Sequence, residues 1–238
     1  MGIDQELRRR HMGIFLDTGN LDEIKKFHRM GIIRGVTTNP TIMSRENLAE
    51  GMDGYKKRCV EIASFIAPLP LSVEVTSNDF ESMRRQGLEF ATWASNINIK
   101  IPIHGPQGEI ENLELIHEME TKHNIRVNVT AMMNSQQAFL AAMAGASYVS
   151  IFGGRVQDMG YDASPEIASL RNLIDQFQLK AKIIVGSCRE ILNIIKWFEA
   201  GAHIVTAPAK LIQGMIVHPF SKETVQQFVR DGARFEKK

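Results

Sequence analysis

Eight short runs of β-branched and apolar residues recur along the chain, and longer stretches with helical spacing separate them. This alternation constrains the fold more than any other feature. The runs cover residues 14–17, 35–38, 71–75, 97–101, 126–130, 148–151, 181–185 and 203–206. Between them, residues 21–30, 79–95, 109–123, 135–144, 165–177 and 189–200 place apolar side chains three and four apart, as Leu113, Ile116 and Met119 illustrate, which predicts helices. Repeated β-α units give a parallel sheet, and closing that sheet removes the edge strands that an open sheet would leave. The predicted fold class is α/β, a single (β/α)₈ TIM barrel.

Punctuation supports this. Ala144-Gly145-Ala146 precedes the sixth run and Ala200-Gly201-Ala202 the eighth, so a glycine ends each helix in a left-handed cap; Gly31 and Gly35 are expected to do similar work before the second run. Beyond the eighth run, residues 209–216 read as a helix that His218-Pro219 stops, and Ser221 then caps a last helix. Residues 13–220 are thus assigned to the barrel. Residues 221–238 form an extra C-terminal helix, surplus to closure and suited to contact with a neighbouring subunit. Residues 1–12, which end in a His-Met pair, are treated as an N-terminal extension or cloning remnant.

Composition narrows the function classes. The 238 residues carry 28 basic and 27 acidic side chains, a net charge of +1 with no single-sign run, so no nucleic-acid partner is expected. No apolar run approaches the roughly 20 residues that cross a bilayer. Two distant cysteines, Cys59 and Cys188, make neither a disulfide framework nor a metal motif, and the seven histidines are scattered. A cytoplasmic protein without metal or cofactor is expected.

Barrel active sites lie at the C-terminal ends of the strands, so polar residues there carry the chemistry. Asp17 ends the first run, Thr37-Thr38-Asn39 the second, Glu74 lies in the third, Lys100 in the fourth and Asn128 and Thr130 in the fifth; Ser187 and Arg189 follow the seventh. Alternation turns Asn98, Lys100 and Pro102 to one face. A lysine in a barrel mouth is desolvated, which favours the neutral amine that attacks carbonyls. Arg155, Ser187 and Arg189 offer forked donors and a hydroxyl suited to an anion such as phosphate. Cys188 reads as a small loop filler.

From residue 14 to about 235 the chain resembles the small-subunit transaldolases and the related fructose 6-phosphate aldolases. The resemblance is carried by Gly35-Val36-Thr37-Thr38-Asn39-Pro40, Asn98-Ile99-Lys100-Ile101-Pro102, Asn128-Val129-Thr130, Gln137-Ala138, Gly145-Ala146-Ser147-Tyr148-Val149-Ser150 and Phe152-Gly153-Gly154-Arg155. It implies transfer of a dihydroxyacetone unit between sugar phosphates through a Schiff base on Lys100, the alternatives being a lyase that releases free dihydroxyacetone and a non-catalytic barrel that binds sugar phosphates. Asp17 would take and return the C4 hydroxyl proton, Glu74 and Thr130 would position water, Asn39 and Asn128 would hold the three-carbon unit, and Thr38 and Phe152 would also contact substrate. Arg155, Ser187 and Arg189 would bind phosphate. Phe152 and Glu74 match the transferases, where the aldolases have tyrosine and glutamine. The resemblance also implies a homo-oligomer, a pentamer or decamer.

Three stretches depart from the family: Ile103-His104-Gly105-Pro106-Gln107-Gly108 after the lysine strand, Met132-Met133-Asn134-Ser135, and Gly153 where the family has a bulkier residue. The first is expected to lie beside the imine and bear on acceptor specificity, and the changes are expected to reshape the pocket wall without touching the lysine.

Overall fold

All eight predicted strands form, and they pair in sequence order into a closed parallel barrel, β8 returning to β1. The computed structural model describes residues 12–45 and 50–235, so most of the N-terminal extension and the last residues of the chain lie outside it. The strands are β1 (Gly13–Asp17), β2 (Ile33–Thr37), β3 (Leu71–Glu74), β4 (Ile97–Pro102), β5 (Val127–Met132), β6 (Tyr148–Ile151), β7 (Lys182–Val185) and β8 (Ile204–Ala207). The helices are α1 (Leu21–Arg29), α2 (Pro40–Arg45), α3 (Gly51–Ile66), α4 (Phe80–Ala91), α5 (Asn112–Thr121), α6 (Ser135–Met143), α7 (Gly153–Asp158), α8 (Ser164–Gln176), α9 (Ile191–Glu199), α10 (Ala209–Ile216) and α11 (Pro219–Gly232).

Two cores result from period-two alternation. Outward side chains such as Val36, Val73, Ile99, Val129, Val149 and Val205 are buried against the helices. Inward ones form a floor of Phe15, Tyr148, Ile184 and Ile204. Gly35 belongs to that floor. Its backbone is not left-handed; a Cβ there would lie 2.6 Å from the Phe15 ring, so the missing side chain is what admits Phe15 to the interior. The cap role expected of Gly35 falls to Gly31 alone, at φ 69°. Gly145 and Gly201, at φ 102° and 107°, end α6 and α9 as predicted.

Above the floor the interior turns polar. Asn128 Nδ2 donates to Ser72 Oγ at 3.1 Å, and Ser150 Oγ donates to Asn128 Oδ1 at 2.6 Å. These side chains can be buried because they satisfy one another.

The last helix begins at Pro219, two residues before the predicted start, with proline in its first turn and extended His218 as N-cap in place of Ser221. None of its residues is buried. Two short helices, α2 and α7, are additions to the eight-fold pattern, inserted directly after β2 and β6 at the mouth. No helix among the described residues is long and apolar enough to cross a membrane.

Candidate active site

The C-terminal ends of the strands enclose a cavity of about 550 Å³. Of the residues singled out in the sequence, Asp17, Asn39, Glu74, Lys100, Asn128, Thr130, Phe152, Arg155, Ser187 and Arg189 all line it. Only Thr38 does not. Alternation places the Thr37 side chain inward and that of Thr38 outward, where its hydroxyl donates to the Ser72 carbonyl at 3.2 Å. Thr38 reaches the site through its own carbonyl, which accepts from Lys100 Nζ at 3.0 Å.

Lys100 is 7% exposed, and its second partner is Glu74 Oε2 at 2.9 Å. Strand register puts the two residues side by side on β3 and β4. Asp17 is held from the other side, where Thr37 Oγ1 donates to its Oδ1 at 2.7 Å. Burial raises the Asp17 carboxyl above its ordinary value; the Thr37 bond and the Lys100 charge oppose that, and the Glu74 charge adds to it. A carboxyl poised in this way can exchange a proton with substrate. Its alternative use, capping α1, belongs to Asn20, whose side chain accepts from the amides of Asp22 and Glu23. Thr130 is fully buried, with a hydroxyl that has no partner among the described residues, and it lines the cavity.

The arginines differ from one another. Arg155, exposed on α7, points at the cavity with no acidic partner among the described residues, whereas Arg189 is bound to Asp158 Oδ2 at 2.9 Å. Ser187 adopts φ 60°, unusual for a non-glycine residue, where α7 crowds the loop after β7. A Cβ on Gly154 would fall 1.7 Å from the Ser187 carbonyl oxygen, so glycine is needed for that approach. Cys188 also lines the cavity; burial pushes its thiol up to about 11, which leaves it protonated and un-nucleophilic at neutral pH.

Arg45, a third arginine on the rim, also lines the cavity, as do Thr41, Thr76 and Asn78, none of which a sequence motif marks. Helix α2 carries Arg45 to the mouth, and only the turn at Asn39-Pro40 hinted at that helix. Asn39 starts it, its Oδ1 accepting from Ile42 N–H at 2.8 Å.

The three departures from the family lie elsewhere than expected. Residues 103–108 form a loop tied down by Glu109, which accepts from Gln107 N–H at 2.9 Å, and none of them lines the cavity. Met132 is buried in the outer core. Gly153 faces away from the mouth: a Cβ there would meet Trp197 Cζ2 at 2.7 Å and Val185 Cγ1 at 2.9 Å, so Trp197 fills the volume of the absent side chain.

A profile of the family described as Transaldolase/Fructose-6-phosphate aldolase matches residues 14–237. The chain belongs to this family. Among curated relatives, one from Carboxydothermus hydrogenoformans named "Probable transaldolase" is 40% identical over 220 residues, 92% of this chain and 97% of the relative. Another of the same name, from Dehalococcoides mccartyi, is 34% identical over 226 residues, covering 95% and 100%. Among solved structures, one from Burkholderia cenocepacia J2315, titled as a phosphonomutase, aligns with a TM-score of 0.62 over 94% of this chain and 98% of that one. At 14% identity it speaks for the barrel fold alone.

Proposed function

We propose that this member of the family is a transaldolase-type transferase acting through a Schiff base on Lys100. The observation that carries the reading is the placement of Lys100, buried and held by Glu74 and the Thr38 carbonyl, in a cavity that also holds Asp17 and Arg155. Glu74 takes the ammonium proton, and the freed amine attacks the C2 carbonyl of a ketose phosphate. Water leaves, and the imine becomes the electron sink. Asp17 removes the C4 hydroxyl proton, the C3–C4 bond breaks, and its electron pair moves into the enamine as the aldose phosphate departs. The enamine carbon then attacks an acceptor aldehyde, and Asp17 returns its proton to the new hydroxyl. Glu74 and Thr130 position the water that hydrolyses the final imine. Arg155, Ser187 and Arg189 hold the phosphate, and Asn39 and Asn128 the three-carbon unit.

Phe152 favours transfer over simple cleavage. It lines the cavity and carries no hydroxyl, so it can neither protonate the enamine nor order water beside it. The test measures dihydroxyacetone released from fructose 6-phosphate with and without erythrose 4-phosphate. Product formation should depend on the acceptor, and Phe152→Tyr should raise free dihydroxyacetone. Rapid release by the wild type without acceptor would make the chain a lyase.

A further inference from the structure

We propose that Tyr55, outside the cavity on α3, is a positioning residue: its hydroxyl fills a ladder position that Pro40 leaves empty and so fixes Glu74 against Lys100. This rests on the Lys100 reading above.

Strands β2 and β3 pair in parallel, and their bonds advance two residues at a time. Val36 N–H donates to the Pro70 carbonyl at 3.0 Å, and Thr38 N–H to the Ser72 carbonyl at 3.1 Å. The next donor in that series is residue 40 and its acceptor is the Glu74 carbonyl. Residue 40 is proline, which has no N–H.

The proline has a use at this point. It turns the chain into α2, brings Asn39 to the cavity and leaves the Thr38 carbonyl to accept from Lys100 at 3.0 Å. The consequence is an orphaned carbonyl on Glu74, the residue that holds the lysine from its other side. A buried carbonyl without a donor is unfavourable. Tyr55 Oη supplies the donor at 3.0 Å.

The phenol is built for that task. Tyr55 is 5% exposed and wedged beside Phe90 and Trp93, with ring centroids at 6.0 and 6.2 Å. Burial raises its hydroxyl above the ordinary phenol value, so it remains a donor at every working pH. On the far side, Val75 N–H donates to the Lys100 carbonyl at 3.1 Å. Glu74 is therefore clamped between Tyr55 and β4, and its carboxylate is aimed by that clamp.

Tyr55→Phe in the full-length protein tests the inference, since it keeps the ring and removes one oxygen. Amide hydrogen exchange at Val75 should accelerate. Under saturating ketose phosphate kcat should fall about tenfold with KM changed less than twofold, because misaligned reacting groups cost rate more than binding. The pH–rate profile should shift. Phe90→Leu, which loosens the same packing but keeps the hydroxyl, should lower Tm and leave kcat and the pH profile in place. A Tyr55→Phe protein with wild-type kcat and pH profile, whatever its Tm, would overturn the proposal. If instead the wild type gives no borohydride-trapped adduct on Lys100, the Lys100 reading fails, while the Val75 exchange rate still reports whether Tyr55 holds the strand.

Discussion

Thr37 donates its hydroxyl to Asp17 Oδ1 at 2.7 Å, so a carboxyl that burial raises at the barrel mouth is held by a neutral partner, not an arginine. Function here opposes stability. A carboxyl whose folded value lies above its unfolded one binds more protons folded than unfolded just above pH 3.8, so its contribution to stability is lost as pH rises through the folded value. At neutral pH the buried Asp17 carboxyl is therefore a net cost. Asp17→Asn keeps the Thr37 bond and removes the charge. It should raise Tm at pH 7, by about 2–4 °C for each kcal/mol relieved, while abolishing turnover. Thermal melts and assays on one preparation check this; a Tm lower than wild type would contradict it.

Arg155 and Arg189 should not behave alike. Arg155 has no acidic partner among the described residues, whereas Arg189 is engaged with Asp158 at 2.9 Å. Arg155→Ala should raise KM for a phosphorylated substrate about 10-fold to 150-fold, the range for losing one charge-assisted bond, and leave an unphosphorylated one nearly unchanged. Arg189→Ala should do less. Steady-state kinetics on both substrate types decide, and equal losses on both would assign these arginines to structure.

His203 predicts an acid-side instability. Its Nδ1 accepts from Ile183 N–H at 3.0 Å, which requires a neutral ring, and burial together with the Arg171 and Lys182 charges pushes it down to about 4 despite Asp175. Between about pH 4 and 6.5 the unfolded chain binds the extra proton, so stability falls as pH drops through that window. The depression corresponds to roughly 3 kcal/mol. Denaturant melts of His203→Gln and wild type should converge toward pH 5 and diverge toward pH 7; parallel curves would dismiss this role.

Helix α11 buries none of its residues and exposes Phe220, Val225, Phe228 and Val229, an apolar face that suits contact with another copy of the chain. Removal of residues 219–238 should reduce the mass seen in light scattering while the barrel keeps its helical signal. Unchanged mass would show that assembly does not use this helix.

Much of the barrel was legible because it rests on local rules. All eight strands come from β-branched runs, and Gly145 and Gly201 cap helices as their positions imply. Features that depend on through-space packing were not legible. Gly35 resembles a turn residue until Phe15 is seen against it, and Gly153 resembles a widened pocket until Trp197 is found in the space. Thr38 is a different case. Alternation along β2 already distinguishes Thr37 from Thr38, and applying to β2 the rule that singled out Lys100 on β4 would have chosen Thr37 for the site. Arg45 had no signal beyond the turn at Asn39-Pro40 and Tyr55 had none, since each sits on a helix whose placement only the fold determines.

Imine formation on Lys100 underlies every step proposed above. Borohydride reduction in the presence of dihydroxyacetone or fructose 6-phosphate, followed by peptide mass spectrometry, tests it most directly. The wild type should give one reduced three-carbon adduct, on Lys100, and a folded Lys100→Met protein none. An adduct on another lysine, or one that persists in Lys100→Met, would contradict it.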